Sequence, residues 1–334
     1  MTRKILGTLV ALGALLAVGA GPAAAQTQKL VFALPGVPPI FLDVLAYVAE
    51  KQGYFKKYGA DVELRQFDTG AAGARAVVSG DADLVLAPTP LVITQIANAN
   101  VDYVAFYGLP NPDWAIGTTN GAKATCADLK GQQIGVDTPG GARSLALKDM
   151  LNGCGGMKIE DVQQVGLGSN TAAAMIAGQI SYGVLHLDDA PEIESHDKKV
   201  TIVTTLAKTV PTSHYDLAVA RRDRLVEKRD AMVRCLAALI EAGRFMSDPK
   251  NAETVADIAS VTGHSKLVAK DALAKFLGIG FWAIEDDGLD KTKIEAVTAD
   301  QVKLGGILAG KTPPAYDKYV DHTLWRDANA MTKK

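Results

Sequence analysis

Short apolar runs alternate with helix-length amphipathic segments along the first third of this chain, and that alternation restricts its fold more than any other feature. Lys29–Leu34 sets Leu30, Phe32 and Leu34 on one side, reads as a buried strand and stops at Pro35-Gly36. A helix from about Phe41 to Gln52 carries Leu42, Leu45, Ala46 and Ala49 on one face and ends at Gly53. Strand Val62–Phe67, helix Ala71–Ser79, strand Leu84–Ala87, helix Pro90–Ala99 and strand Val101–Tyr107 follow. This β-α-β-α-β-α-β order predicts a largely parallel sheet with helices on its faces.

At Pro110-Asn111-Pro112 the pattern breaks, which marks a crossing into a second α/β unit beginning at Trp114. There the expected strands are Gln133–Val136, Val162–Val165, Ile180–Leu185 and Val200–Thr204, with helices at Thr171–Ala177 and Pro191–Ser195. Pro211–Tyr215 reads as the return crossing, feeding a strand at Leu217–Ala220. Beyond it lie helices at Asp223–Met246, Asn251–Val261, Lys266–Leu277 and about Thr292–Gly305. The expected division is therefore residues 26–111 with 216–334 as one lobe and 112–215 as the other.

The first residues read as an export signal. Arg3 and Lys4 precede the apolar run Ile5–Ala20, and Ala23-Ala24-Ala25 supplies a cleavage site before Gln26. The run falls short of the roughly 20 residues of a spanning helix, and Gly7, Gly13 and Gly19 interrupt it. Removing that 25-residue leader from 334 residues leaves 309, a length that suits two domains. Without Arg3 and Lys4 the balance is 33 basic against 37 acidic residues, which offers no pull toward nucleic acid or an anionic membrane. In an oxidising compartment Cys126 and Cys154, which flank one strand-turn-helix unit, can form a disulfide, while Cys235 sits mid-helix among apolar residues.

Catalytic patterns do not fit. Gly135–Ser144 has the outline of a phosphate loop, yet Gly141 and Ala142 follow Gly140 where Lys and a hydroxyl are required. The five histidines show no metal-binding pairing, and no G-x-S-x-G elbow occurs. No metal or cofactor is expected. Binding features remain. Gly135–Leu151 reads as a strand end, a Thr-Pro-Gly-Gly turn and a helix start whose free amides suit an acceptor or anion. Thr89 and Ser169 also precede or open helices, and the plainer reading of such residues is helix capping. Arg143 is the natural anchor for an acid group, unless a nearby Asp pairs with it.

Three phrases together resemble one family: Ala49–Gly59 (AEKQGYFKKYG), Gly80–Leu84 (GDADL) and Asp128–Val136 (DLKGQQIGV). With the export signal they resemble the nitrate/sulfonate/taurine-type substrate-binding proteins of bacterial ABC importers. The resemblance implies an α/β, two-lobed type II periplasmic binding fold with two interdomain crossovers and a ligand cleft between the lobes. It also implies a periplasmic monomer that docks on an inner-membrane permease with cytoplasmic ATPases, and no enzymatic activity. The chain departs from the family pattern after Gly178, where His186 takes an aromatic position and Asp188 a Pro position.

The expected ligand is a small organic anion such as a sulfonate or carboxylate, with an uncharged heterocycle such as a pyrimidine precursor as the alternative. Arg143 and the turn Thr138, Gly140, Gly141 and Ser144 hold the acid group in this reading. Val37, Pro38 and Phe41 form the floor, and Thr89, Asn111, Trp114, Ser169, His186 and Asp188 shape the rest. An extracytoplasmic sensor module and, furthest from the pattern, a pyrimidine-synthase-like enzyme are the competing classes.

Overall fold

In the computed structural model, which describes residues 28–333, ten strands form. The export signal expected over residues 1–25 lies outside the described residues. In chain order the strands are β1 (Leu30–Pro35), β2 (Val62–Phe67), β3 (Leu84–Pro88), β4 (Tyr103–Leu109), β5 (Ala115–Thr118), β6 (Gln133–Val136), β7 (Gln163–Gly166), β8 (Tyr182–Leu185), β9 (Thr201–Thr205) and β10 (Asp216–Arg221). They sort into two five-stranded sheets, ordered β2-β1-β3-β10-β4 and β7-β6-β8-β5-β9. The two orders are the same pattern used twice. We refer to the unit built on each sheet as a lobe.

The helices expected at Ala71–Ser79 and Pro90–Ala99 form as Gly70–Ser79 and Thr89–Ala99 and return the chain between parallel strands, and β1 runs parallel to both β2 and β3. The sheets are nevertheless mixed rather than largely parallel. β10 is antiparallel to β3 and β4, and β5 is antiparallel to β8 and β9. The reason is the connection. A strand reached by a crossing starts at the face where the parallel strands end, so it must run the opposite way. Strand β5 was not foreseen, because four buried residues including Gly117 carry no usable periodicity.

The expected long helix Asp223–Met246 is two helices, Arg222–Glu227 and Arg229–Ser247. Lys228 leaves helical geometry between them (φ −112°, ψ 25°), and its ammonium pairs with Asp83 at 2.8 Å and donates to the Lys29 carbonyl. The second helix buries Met232, Cys235, Leu236, Leu239 and Ile240 in the main core of the first lobe. Cys126 and Cys154 are bridged, with Cα atoms 5.5 Å apart, and so tie the turn before β6 to the end of the helix Ala142–Gly153. Among the described residues no helix is long and apolar enough to cross a membrane.

Candidate functional site: a carboxylate-lined cleft

The loops after β1, β2 and β3 face those after β6, β7 and β8, so the lobes meet at the carboxyl ends of their parallel strands, where α/β folds bind ligands. Register carries the crossing segments to the same place. Asp216 at the start of β10 pairs with Pro88 and Leu109, and Ala115 at the start of β5 pairs with Leu185 and Thr205. Trp114, Tyr215 and Asp216 are thereby delivered into the gap. Its inner chamber is a cavity of about 40 Å³ whose walls include Trp114, Arg143, His186, Tyr215 and Asp216. Past Asp68, Thr69, Asp137, Gly168 and Ser169 it opens into a vestibule of about 380 Å³.

The turn that suggested an anion seat is already occupied by the protein's own acid. The Asp137 carboxylate accepts from the Ala142 N–H at 2.8 Å, at the start of the helix Ala142–Gly153. A Cβ on Gly141 would lie 2.4 Å from that carboxylate, so glycine is what lets the side chain fold back. Two further loop amides are filled in the same way: Asp189 accepts from His186 N–H at 2.8 Å, and Asp113 from Leu187 N–H at 3.2 Å.

Arg143 is buried and points its Nη1 at Asp189, 2.9 Å away, and at the Val184 carbonyl. Burial works against its charge, but Asp189, with Asp137 and Asp188, outweighs burial and the guanidinium pKa rises. Asp189, buried as well, is held below the usual carboxylate range chiefly by Arg143. The pair is self-neutralised, with the guanidinium carbon 5.4 Å from the Trp114 ring centre. Trp114 in turn lies against His186, their ring centres 3.8 Å apart, and His186 Nδ1 meets Asp113 at 2.8 Å.

A row of buried acids remains. Asp216 is 4% exposed, no side chain or backbone donor reaches its carboxylate among the described residues, and burial followed by the charge of Asp113 pushes its pKa well up. Asp43, fully buried, is raised by burial and by Asp216; its Oδ2 accepts from Ile40 N–H while Oδ1 has no partner. Asp137 is raised by burial against its backbone hydrogen bonds and Arg143, and its Oδ1 also has no partner. Unpaired buried carboxylates are costly, and a site that holds several favours a ligand that donates to them.

The lobes touch around the chamber. Ser169 Oγ donates to the Val37 carbonyl at 2.9 Å, and Lys148 donates to the Leu304 carbonyl at 2.6 Å. On the opposite rim His264, which precedes the helix Lys266–Gly278 of the first lobe, lies between Asp188 at 2.8 Å and Glu192 at 3.0 Å of the second. Burial would lower the His264 pKa, but the Asp188 hydrogen bond and charge, with Glu192, carry it up to about 9.

Of the residues singled out from sequence, Trp114, Arg143, Ser169 and His186 line the inner chamber, and Val37 and Thr138 line the vestibule. Pro38 follows Val37 through a cis peptide bond in the loop after β1. The others face elsewhere. Phe41 stacks on Phe276 at 4.9 Å in the first lobe's core, because the C-terminal helices offer it an aromatic partner. Thr89 is fully buried and bonds His214 Nδ1 at 2.8 Å. Asn111 ties the first crossing to the C-terminal region through the Ile279 and Gly280 carbonyls and Lys293. Ser144 accepts from Gly140 N–H and donates to Gln164, bracing the turn. Asp188 serves the contact with His264. Asp68, Asp113, Asp137, Tyr215, Asp216 and His264 were not singled out. The available signal was an Asp at each strand end or crossing, next to an apolar run that would otherwise be buried.

Residues 44–252 match the family model described as NMT1/THI5 like. A Brucella abortus (strain 2308) protein described only as a binding protein is 27% identical over 216 residues, which is 64% of this chain and 65% of that one. The match thus spans just under two thirds of the relative's length. Among solved structures, the periplasmic nitrate-binding protein NrtA from Synechocystis PCC 6803 superposes with a TM-score of 0.75 at 14% identity, over 92% of this chain and 89% of that one. The alkanesulfonate-binding protein SsuA from Xanthomonas axonopodis pv. citri, solved bound to MOPS, gives 0.70 at 18% identity, over 89% and 99%. At these identities the likeness establishes the fold, that of the periplasmic binding proteins.

Proposed function

The chain belongs to the NMT1/THI5-like family, and on that premise we propose that it is the exported solute-binding component of an ABC importer. It captures a small organic molecule between its lobes and delivers it to a membrane permease served by cytoplasmic ATPases. The observation that carries this reading is the chamber itself. Its walls come from both lobes, and direct contacts, Ser169–Val37, Lys148–Leu304 and His264 with Asp188 and Glu192, join the lobes. A ligand that touches both walls favours the closed form by its differential affinity, and no chemical step is needed for that mechanism.

A binding role fits the chamber better than catalysis. The Thr89–His214 pair could in principle activate a hydroxyl, but Thr89 is fully sealed and His214 is pushed down to about 4 by burial. The organic anion expected from sequence loses its anchor, since Arg143 is already neutralised by Asp189. A thermal-shift screen of the mature protein against sulfonates, carboxylates, amines and pyrimidines tests the reading. A solute at about 100 times its Kd adds about 2.7 kcal/mol to stability. A shift that disappears in Trp114→Ala places binding in the chamber; a panel without any shift counts against a solute-binding role.

A further inference from the structure

We propose that the group bound in the inner chamber is a cationic nitrogen, an ammonium or amidinium, with the rest of the ligand extending into the vestibule. This inference rests on the solute-binding reading above. Asp216 lies in the chamber wall, more than nine-tenths buried, with no donor on its carboxylate. Asp137 lines the same chamber and its Oδ1 is likewise without a partner. Asp68 stands at the passage to the vestibule. Against these three acids the chamber wall sets one permanent cation, Arg143, and Asp189 has already claimed it at 2.9 Å.

Three loop amides that could serve an anion are taken. The amides of Ala142, His186 and Leu187 each donate to a carboxylate of the protein itself. A sulfonate or carboxylate entering here would meet Asp216 and Asp137. A cationic nitrogen meets the opposite situation. It supplies N–H donors or charge to the unpartnered oxygens, beside a wall that includes the Trp114 and Tyr215 rings, their centres 5.5 Å apart. Burial and then Asp113 raise the Asp216 pKa, and a cation beside the carboxylate would favour its charged form. Size agrees: a cavity of about 40 Å³, where a water needs about 10–15 Å³, admits a head group of a few heavy atoms.

The test is titration calorimetry of the mature protein with ethylammonium, choline and acetamidine as cationic probes. Ethanesulfonate, propionate and an uncharged pyrimidine serve as comparisons. The expected result is heat of binding and a change in tryptophan fluorescence with at least one cationic probe, and an affinity at least tenfold weaker in Asp216→Asn. Asp68→Asn, which alters an exposed side chain, should weaken the same probe severalfold without changing the melting temperature. Binding of ethanesulfonate or propionate that is unchanged or tighter in Asp216→Asn would overturn the proposal while leaving the solute-binding reading intact. So would binding of the pyrimidine alone. Silence of all six probes at millimolar concentration would overturn both.

Discussion

Replacing His264 with Gln should loosen the closed form of the ligand-free protein and remove most of its pH dependence between about pH 6.5 and 9. The ring lies between Asp188 at 2.8 Å and Glu192 at 3.0 Å, both on the opposite lobe. Opening separates these groups and returns His264 toward its ordinary value of 6.5, against about 9 when closed. The closed form therefore holds the proton more tightly. Its extra stability is fully present below about pH 6.5 and is lost as pH rises through about 9. A rise of that size corresponds to about 3 kcal/mol, and solvent access to the ring reduces it to about 1–2 kcal/mol. The closed-to-open ratio then falls by a factor of about 5–30 on deprotonation. Small-angle scattering of the ligand-free protein at pH 6 and 9.5 should show the wild type expanding with pH. His264→Gln should be expanded at both. A radius of gyration that is the same for both proteins at both pH values would refute the argument.

Asp189→Asn should cost about 3–5 kcal/mol in urea unfolding, because it leaves the buried Arg143 charge without its partner. Removing the Cys126–Cys154 bridge, which closes a segment of sequence separation 28, should lower stability by about 3–4 kcal/mol, read from the same denaturation curves under reducing and non-reducing conditions. Asp149 is raised to about 7 by burial and by Asp300, so its folded form binds a proton that the unfolded chain releases. Stability should therefore fall as pH rises from about 4 to 7, and Asp149→Asn should flatten that fall, by up to about 4 kcal/mol at pH 8 in thermal unfolding.

Legibility followed the range of the interaction. Val62–Phe67 and Gln133–Val136 are strands with the boundaries read from sequence, since local alternation and flanking turns suffice to define them. The mixed character of both sheets was not readable, because β5 and β10 owe their direction to crossings that bring together distant segments. The site divides along the same line. Trp114 at a crossing and His186 at a strand end face the chamber by virtue of backbone position. For Arg143 the structure shows the pairing that sequence left open as the alternative to an anchor role, and the partner, Asp189, lies 46 residues away, beyond any local pattern. Phe41 looked like a cleft residue and is core, because Phe276 from the C-terminal helices stacks on it. Asp216 went unnoticed since a single acid before an apolar strand reads as a solvated strand end.

The central claim is that one solute is held by both lobes at once, and hydrogen exchange tests it most directly. With the strongest probe from the calorimetric series bound, the account predicts slower exchange together in residues 36–43, 68–72 and 213–217 of the first lobe and 137–143, 167–171 and 186–189 of the second. Protection confined to one lobe, or lying outside these loops, would contradict it.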